Sequence, residues 1–410
     1  MRRSLLLLAP LSVVGALLAF RSAPSPTCDP DNGGLTLPKG FCATVYATLP
    51  GVRHVAVAPN GDVFATGGRA GVTALRDRKG TGHADTTATF GGYPGSTGIA
   101  LGADALYYAP NERVIRFTLK SGSLLPSDTG RVIVSGLPVG NHSAKTLALS
   151  KDGKSIFVDQ GSATNICLPR GASVKSQGPM PCPELPTRAG IWRYDVNKFN
   201  QTGADGERWA TGVRNGMALA VEPTTGVLGG ATHGRDDLHG ALGVSDEENA
   251  EKPAEEFGIF AKGDDWGWPY FYFDPITKKK VQGPEYGGDG VKQGECATKA
   301  QPVIGFPGHW APLALNFVPA KNSFGPEYAS GAFLAFHGSW NRAPMPQAGF
   351  RIVFIPFKNG KAIGTYSTFA DATAGQFKLS GVAMAPDGSA LYVASDNAGK
   401  IWRIIPTPSR

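Results

Sequence analysis

Four histidines of this 410-residue chain stand where short polar runs meet alternating apolar segments. Several arginines lie in the same runs or in neighbouring ones. Imidazole can take up or release a proton near neutral pH, and guanidinium binds anionic groups such as carboxylates. The pattern therefore indicates a site for proton transfer beside an anionic ligand. The four histidines, of seven in the chain, are His142, His233, His309 and His337.

Taken one at a time, these polar residues also have purely structural explanations. A histidine beside a strand is more often a hydrogen-bonded core residue than a catalyst, and Arg214 could simply pair with a carboxylate. Asp236 and Asp237 could form a solvated turn, and Trp310 and Trp340 could belong to the core. The recurrence of histidine and arginine at corresponding points is what favours a shared site.

Short motifs give little help in naming the chemistry. The histidines could bind zinc, but the chain has neither an HxH nor an HExxH spacing. It also lacks a GxSxG elbow, a P-loop and a GxGxxG turn, so hydrolase, NTPase and nicotinamide-dependent functions have no motif behind them. No CxxC pair is present, which excludes a zinc ribbon and a CxxCH haem attachment.

One sequence pattern recurs along the chain and must position these residues. It consists of an alternating apolar strand, a turn containing glycine or asparagine, and a second strand, as expected for a tight hairpin. Six hairpin-centred copies predict an all-β fold, a six-bladed β-propeller with long inter-strand insertions. The copies lie at 55–66, 97–109, 145–161, 216–234, 312–338 and 379–396.

A propeller must close its ring, and the two ends of the repeat region offer a pair of strands for this. The segment 41–49 alternates as an extended strand would, and 400–405 is its natural partner in the last blade. A β-sandwich with appendages is the alternative, but it does not explain a hairpin pattern that recurs from start to end. We expect residues 26–410 to form one propeller domain.

Composition excludes two other classes of protein. The chain has 55 glycines and 32 prolines, and both residue types weaken helix interiors, so an all-helical fold is excluded. Hydrophobic residues make up 41% of the chain, which is enough apolar surface to exclude disorder. The formal net charge is +7, but no stripe of basic and aromatic residues indicates nucleic-acid binding.

The N-terminal 25 residues have the features of an export signal. Arg2 and Arg3 precede an apolar run over 5–20, which is short for a membrane span. We expect a signal peptide or an uncleaved N-terminal anchor, a periplasmic or secreted protein, and no membrane span in the mature body. Export permits disulfides, so two bonds are possible, one joining Cys28 to Cys42 and one joining Cys167 to Cys182, with Cys296 left over.

Seven motifs, read in order, resemble the sorbosone/glucose dehydrogenase family of soluble quinoproteins. This resemblance covers roughly residues 35–406 and implies an exported six-bladed propeller. It further implies that the protein uses pyrroloquinoline quinone (PQQ) and calcium to oxidise aldoses or sugar aldehydes, and that an external acceptor takes the electrons. The motifs are NHSAKTLALS (141–150), VRNGMALA (213–220), THGRDDLHG (232–240), DDWGWPYFYFDP (264–275), PEYGGDG (284–290), FPGHWAP (306–312) and FHGSWNRAP (336–344).

The resemblance assigns roles to individual residues. His142 matches the general base that takes the proton from the sugar C1 hydroxyl or from an aldehyde hydrate. Arg214 matches the arginine that bonds the quinone oxygen, and Asn215 would assist it. Main-chain carbonyls of Gly234 and Arg235 would bind calcium, a cation that prefers oxygen ligands. The remaining expected cofactor contacts are His233, Trp340 beside the planar ring, Arg342 at a carboxylate, and Lys378.

Two departures from the family pattern accompany these assignments. Relatives carry an arginine-rich stretch before the sixth repeat, where this chain has Lys378 as the only cation over 376–382. Several relatives also carry a cysteine at the place of Phe271, which fits an unpaired Cys296. Two other functions stay open on the sequence: a propeller that binds carbohydrate or protein without catalysis, and a metal-dependent lactonase-type hydrolase.

Overall fold

The computed structural model describes residues 27–68, 70–93, 97–169, 171–172 and 176–407. The predicted signal peptide or anchor over residues 1–25 lies outside this part of the chain. Within it, strands form six blades and one additional hairpin, and only two short α-helices occur. The predicted six-bladed β-propeller is therefore confirmed, and a β-sandwich is not the architecture.

The first half of the ring contains blades 1 to 3, each built on four antiparallel strands, of which the innermost comes first in the chain. The strand β1 (Phe41–Thr48) precedes them and belongs to the last blade. Blade 1 contains β2 (Val52–Val57), β3 (Val63–Gly67), β4 (Gly71–Arg76) and β5 (Thr86–Gly91). Blade 2 contains β6 (Gly98–Leu101), β7 (Ala105–Ala109), β8 (Val114–Thr118) and β9 (Arg131–Ser135). Blade 3 contains β10 (Leu147–Leu149), β11 (Ser155–Gln160), β12 (Gly190–Asp195) and, after β13 (Gln201–Thr202) has paired with β9, β14 (Glu207–Thr211).

The second half carries the longest insertions. Blade 4 contains β15 (Ala218–Val221), β16 (Leu228–Thr232) and, after α1 (Leu238–Leu242) and α2 (Asp246–Glu251), β17 (Glu255–Ile259). Next, β18 (Asp264–Asp265) pairs with β14, β19 (Phe271–Asp274) and β20 (Lys279–Gln282) form the hairpin, and β21 (Ile304–Phe306) completes blade 4. Blade 5 contains β22 (Pro312–Phe317), β23 (Gly331–Phe336), β24 (Arg351–Lys358), the short β25 (Lys361–Ala362) and β26 (Ser367–Asp371). Blade 6 contains β27 (Leu379–Met384), β28 (Leu391–Ser395) and β29 (Lys400–Pro406). Short 3₁₀ helices span Asn32–Gly34, Gly203–Asp205, Pro284–Tyr286, Cys296–Thr298, Pro326–Tyr328 and Trp340–Arg342.

The innermost strands β2, β6, β10, β15, β22 and β27 pack against one another in that order, and β27 returns to β2. All six therefore begin at one end of the ring, which we call the mouth, and the second strand of each blade ends there. Tight hairpins at the opposite end make this possible. Gly61 and Gly388 turn two of them with φ of 87° and 71°, a backbone conformation that glycine adopts without cost.

The N-terminal strand closes the ring, as the sequence predicts. β1 pairs antiparallel with β29 and so completes blade 6. The predicted disulfide between Cys28 and Cys42 ties the preceding segment to β1, and the second predicted disulfide joins Cys167 to Cys182. Cys296 is a free, buried thiol. No helix in the described part of the chain is long and apolar enough to cross a membrane.

Substitution of Trp402 tests how far this closing contact stabilises the fold. The side chain lies in β29, is fully buried, and donates its indole N–H to the carbonyl oxygen of Gly33, 3.1 Å away. We expect Trp402→Ala to lower the free energy of unfolding by about 3–5 kcal/mol, because it leaves a large cavity and removes the indole hydrogen bond to Gly33. Urea denaturation measures this loss. Leu125→Ala is the control, since Leu125 is 51% exposed, and a loss as small as in that variant would contradict the expectation.

Candidate active site

The mouth of the ring holds a cavity of about 380 Å³, which we call the funnel cavity. His142 precedes β10, Asn215 precedes β15, His233 follows β16 and His337 follows β23, and all four side chains line it. Arg53, near the start of β2, lines it as well. The propeller thus brings three of the four recurring histidines together, as their positions at strand ends predict.

A larger cavity of about 1210 Å³ adjoins the funnel cavity, and Asn141 lines both. We call it the outer cavity. Its wall includes Asn165, Asp236 and Glu285, and Trp340 stands on it with 70% of its surface exposed. Trp340 is therefore a rim residue and not part of the core, whereas Trp310 is buried. The two cavities together give the mouth room for a cofactor and a small substrate.

His142 is held in one orientation and one tautomer. Its Nδ1 lies 3.1 Å from the carbonyl oxygen of Ser162 and 3.0 Å from the Ser162 Oγ, whose own proton goes to the carbonyl of Thr164. Nδ1 therefore carries the hydrogen, and Nε2 has a free lone pair. Among the described residues, no group forms a hydrogen bond to Nε2. A histidine with its second nitrogen open toward a cavity is arranged to accept a proton.

The surroundings keep the His142 ring neutral. Burial, followed by the positive charge of Arg214 and the neighbouring His233, lowers the pKa of His142 to about 3. Burial likewise lowers the pKa of His233 to about 4. Both rings are therefore unprotonated at neutral pH, and His142 is available as a base.

The end of β11 joins the loop of His142 to the turn of Arg214 and Asn215. The Asp159 carboxylate accepts the amide hydrogen of Gly216 at 2.9 Å, and the amide of Ser162 donates to the carbonyl of Arg214 at 2.8 Å. Between them, Gly161 leaves no room for a side chain. An added Cβ would lie 2.6 Å from His142 Cβ and 3.0 Å from Asn215 Oδ1. A glycine at this position lets the candidate base and Asn215 approach each other.

A buried lysine stabilises the loop that contains His142. Lys145 has no solvent exposure, and its ammonium donates to the carbonyl oxygens of Pro138 at 2.8 Å and Ser143 at 2.6 Å, on either side of His142. Burial lowers the pKa of Lys145 and raises that of Asp159. His142 itself has a φ of 48°, so contacts of this kind hold a backbone conformation that an isolated loop would rarely adopt.

Arg214 is buried and already oriented. Its Nη2 pairs with the Asp236 carboxylate at 2.8 Å and with Asn165 Oδ1 at 3.0 Å, and its Nε donates to the Asn165 carbonyl. Arg214 thus does pair with a carboxylate, as its purely structural explanation requires, and this ion pair lies at the mouth. Burial opposes ionisation of Asp236, but Arg214 and nearby histidines hold the pKa of that carboxyl below its usual range.

Asn215 has a buried oxygen without a partner. His233 Nε2 donates to the carbonyl of Pro312 at 2.8 Å, so its Nδ1 accepts from the Asn215 amide at 3.3 Å. The Asn215 Oδ1 then has no hydrogen-bond partner among the described residues. A buried, unpaired oxygen is costly, and it marks a place where a ligand can bind.

Gly234 and Arg235 follow His233 directly in the chain, and Arg235 lines the outer cavity. The Gly234 amide donates to the Glu255 carboxyl at 3.0 Å, and burial raises the pKa of Glu255 to about 8. The Arg235 side chain turns away and forms two bonds with Glu285, at 2.5 and 2.9 Å. Among the described donors, none bonds the carbonyl oxygen of Gly234 or Arg235. These two oxygens suit a hard cation such as calcium.

Several other expected residues do not line the funnel cavity. Arg235 and Trp340 line only the outer cavity, and Arg214 and Gly234 line neither of the two. Arg342 is buried in the 3₁₀ helix Trp340–Arg342, where its donors go to the carbonyls of Pro346, Ala250 and Gly308 and to the Glu251 carboxylate. Lys378 is exposed just before β27 and does not line the funnel cavity. His309 is buried and donates to the carbonyl of Asn249. It is therefore a hydrogen-bonded core residue and not part of the shared site.

Sequence reasoning missed several residues that the mouth uses. Ser162, Lys145 and Glu255 act through hydrogen bonds that no local pattern reveals. The sequence does contain an indication of Arg53, because this arginine precedes the first repeat as Arg214 precedes the fourth. No group of three or more His, Cys, Asp or Glu side chains suited to a metal occurs among the described residues, so the histidines do not assemble into the zinc site considered above.

Comparisons with known proteins agree with this architecture. A family model described as TrAA12-like matches residues 35–407. A pyrroloquinoline quinone-dependent pyranose dehydrogenase of Coprinopsis cinerea is 24% identical over 320 residues, which cover 67% of this chain and 41% of that protein. The chain thus spans about two fifths of the length of that curated relative.

Two solved structures share the fold. The calcium structure of the Trichoderma reesei Carbohydrate-Active Enzymes Family AA12 protein superposes with a TM-score of 0.75 at 20% identity, over 94% of this chain and 100% of that one. The holo form of the pyranose dehydrogenase PQQ domain from Coprinopsis cinerea gives a TM-score of 0.72 at 18% identity, over 94% and 99% of the two chains. At these identities the match establishes the six-bladed fold.

Titration of His142 tests the electrostatics of the mouth. We expect its ring resonances, followed by NMR, to stay those of neutral imidazole from pH 8 down to about pH 4, because burial and Arg214 disfavour the charged form. The folded state then binds fewer protons than the unfolded state between about pH 3 and 6.5, so this residue's contribution to stability is lost as pH falls through that range. Arg214→Met should raise the pKa, whereas Arg116→Met on blade 2 should not. A titration midpoint near 6.5 in the unsubstituted protein would contradict the analysis.

Proposed function

The chain belongs to the TrAA12-like family, and from this membership we propose that it is an exported dehydrogenase that uses PQQ and calcium to oxidise C1 of aldose sugars or related aldehydes. The membership also confirms the family resemblance that the sequence motifs indicate. The observation that carries the proposal is the placement of His142, with its Nε2 unpaired and its ring neutral, on the same funnel cavity as Asn215, close enough to Arg214 for that charge to lower the pKa of His142.

The residues at the mouth fit such a cofactor pair. Asn215 Oδ1 is buried without a partner, and Arg214 Nη1 has no acceptor among the described residues. A quinone oxygen can accept from the guanidinium, and the free carbonyl oxygens of Gly234 and Arg235 are ligands of the kind calcium takes. His233 braces Asn215 through the bond between Asn215 Nδ2 and His233 Nδ1. We therefore assign the quinone contact to Arg214 and to the second hydrogen of Asn215 Nδ2, and the calcium contact to the two carbonyls. The Asn215 Oδ1 is an acceptor and suits a donor such as a substrate hydroxyl.

The protein's own part in the reaction is proton transfer and orientation. When bound, PQQ supplies an electrophilic carbonyl that accepts hydride, and calcium polarises it as a Lewis acid. His142 takes the proton of the substrate hydroxyl at Nε2, while Ser162 holds Nδ1–H and keeps the ring in position. Arg214 stays fixed by Asp236 and Asn165, so it needs no reorientation during the reaction.

Export and electron transfer complete the proposal. The apolar run at residues 5–20 supports a signal peptide or an N-terminal anchor and a periplasmic or secreted location. The two disulfides within the propeller suit an oxidising compartment. The wide outer cavity leaves the mouth open to an external electron acceptor.

Reconstitution of the purified protein tests this function directly. We expect addition of PQQ with calcium to produce cofactor absorbance on the protein and to permit reduction of a dye by aldoses or sugar aldehydes. Omission of PQQ should abolish the reduction, and omission of calcium should lower it. Absence of both cofactor absorbance and dye reduction would refute the proposal, and hydrolysis of lactones by the same sample would support a lactonase instead.

Substitution of the two principal side chains separates their roles. His142→Ala should reduce kcat by about 10²–10⁴-fold and leave PQQ bound, because only proton transfer is removed. Arg214→Ala should weaken PQQ binding and also lower kcat. His83→Ala on blade 1 is the control, and circular dichroism checks folding of each variant. Normal turnover by His142→Ala would show that another group is the base.

A further inference from the structure

Among the described residues that line the funnel cavity, Arg53 is the only lysine or arginine. It lies in β2, on blade 1, and its side chain is 29% exposed. One guanidinium nitrogen, Nη1, pairs with the Asp396 carboxylate at 2.5 Å. The other two nitrogens, Nε and Nη2, have no hydrogen-bond acceptor in the described part of the chain. Arg53, with two guanidinium nitrogens that have no acceptor among the described residues, therefore lines the same cavity as His142 and Asn215.

Within the part of the chain that the structure describes, the other arginines near the mouth have few nitrogens free for a ligand's carboxylate. Arg342 gives every nitrogen to protein acceptors, and Arg235 is paired with Glu285 by two bonds. Arg214 is committed to Asp236 and Asn165 except for one nitrogen, which the quinone contact uses. Lys378, the cation expected at the sixth repeat, lies outside the funnel cavity.

We propose that Arg53 binds a carboxylate of PQQ, an inference that rests on the proposed function. PQQ carries three carboxylates, and a guanidinium holds a carboxylate through two parallel N–H···O bonds. Arg53 thereby supplies from blade 1 the cation that the sixth repeat, with Lys378 outside the funnel cavity, does not supply.

Blade 6 contributes to this arrangement by holding Arg53. Asp396 follows β28, and both its carboxylate oxygens lie within 3.2 Å of His337 Nε2. Burial opposes ionisation of Asp396, yet His337 and Arg53 hold the pKa of its carboxyl below the usual range. Asp396 is therefore an anion that holds Arg53 through Nη1 and leaves Nε and Nη2 without an acceptor among the described residues.

Equilibrium titration of the apoprotein with PQQ, in the presence of calcium, tests the assignment by cofactor fluorescence or absorbance. Arg53→Met should weaken PQQ binding at least tenfold, Arg53→Lys should weaken it less, and higher salt should narrow the difference. Lys378→Met should bind PQQ within twofold of the unsubstituted protein. Melting temperatures measured without PQQ verify that each variant is folded.

Asp396→Asn is the matched control, because it breaks the same ion pair but keeps the guanidinium. If Arg53 binds a carboxylate of PQQ, the affinity of Asp396→Asn for PQQ should be unchanged or higher. If the ion pair is merely structural, Arg53→Met and Asp396→Asn should weaken PQQ binding equally. Equal weakening, or a Kd for Arg53→Met within twofold of the unsubstituted protein, would overturn the assignment. So would a raised KM for uronic acids with unchanged PQQ affinity, since Arg53 would then bind the substrate's carboxylate.

The two proposals fail in different ways. If the unsubstituted protein shows no saturable PQQ binding, the proposed function is refuted and the role of Arg53 with it. If that protein binds PQQ and the Arg53 variants bind it equally well, only the role of Arg53 is refuted.

Discussion

The close approach of the His142 loop to the Arg214–Asn215 turn is the constraint on which the site depends. The two segments precede the innermost strands of adjacent blades, and the end of β11 lies between them. Gly161 provides the space, since any Cβ there would lie 2.6 Å from His142 Cβ. Hydrogen bonds from Gly216 to Asp159 and from Ser162 to the Arg214 carbonyl then fix the spacing. The blade edge itself thus sets the distance between the base and the cation.

Charges at the mouth are paired before any ligand arrives. Arg214 meets Asp236, Arg235 meets Glu285, and Arg53 meets Asp396. Burying an unpaired guanidinium would cost several kcal/mol, so these carboxylates make it possible to keep cations inside the ring. The pairs also differ in what they leave free. Arg235 has its guanidinium fully engaged, whereas Arg53 keeps two donors and Arg214 keeps one, and this difference determines which arginines can bind an anion.

Much of this architecture could be predicted from the sequence, because it depends on local patterns. Alternating strands and glycine turns define the six hairpins, and polar residues at strand ends converge once the ring closes, as His142, Asn215 and His233 do. Side-chain direction outside the strands could not be predicted. Arg342 stands in a promising motif, but the 3₁₀ helix Trp340–Arg342 turns its guanidinium toward the carbonyls of Ala250 and Gly308. The use of Arg53 likewise depends on Asp396, 343 residues away in the chain.

The low pKa of His142 follows from the same arrangement and bears on its work as a base. A base is most efficient when its pKa lies near the working pH, and a value of about 3 is well below that for a neutral medium. Burial is the larger cause and persists when a ligand enters, so the ring stays unprotonated. The share due to Arg214 is different, because an anion bound beside that guanidinium offsets its charge and raises the pKa of His142. Burial in the cavity therefore keeps His142 unprotonated, and the charge of a ligand bound in the cavity raises or lowers the pKa of this histidine.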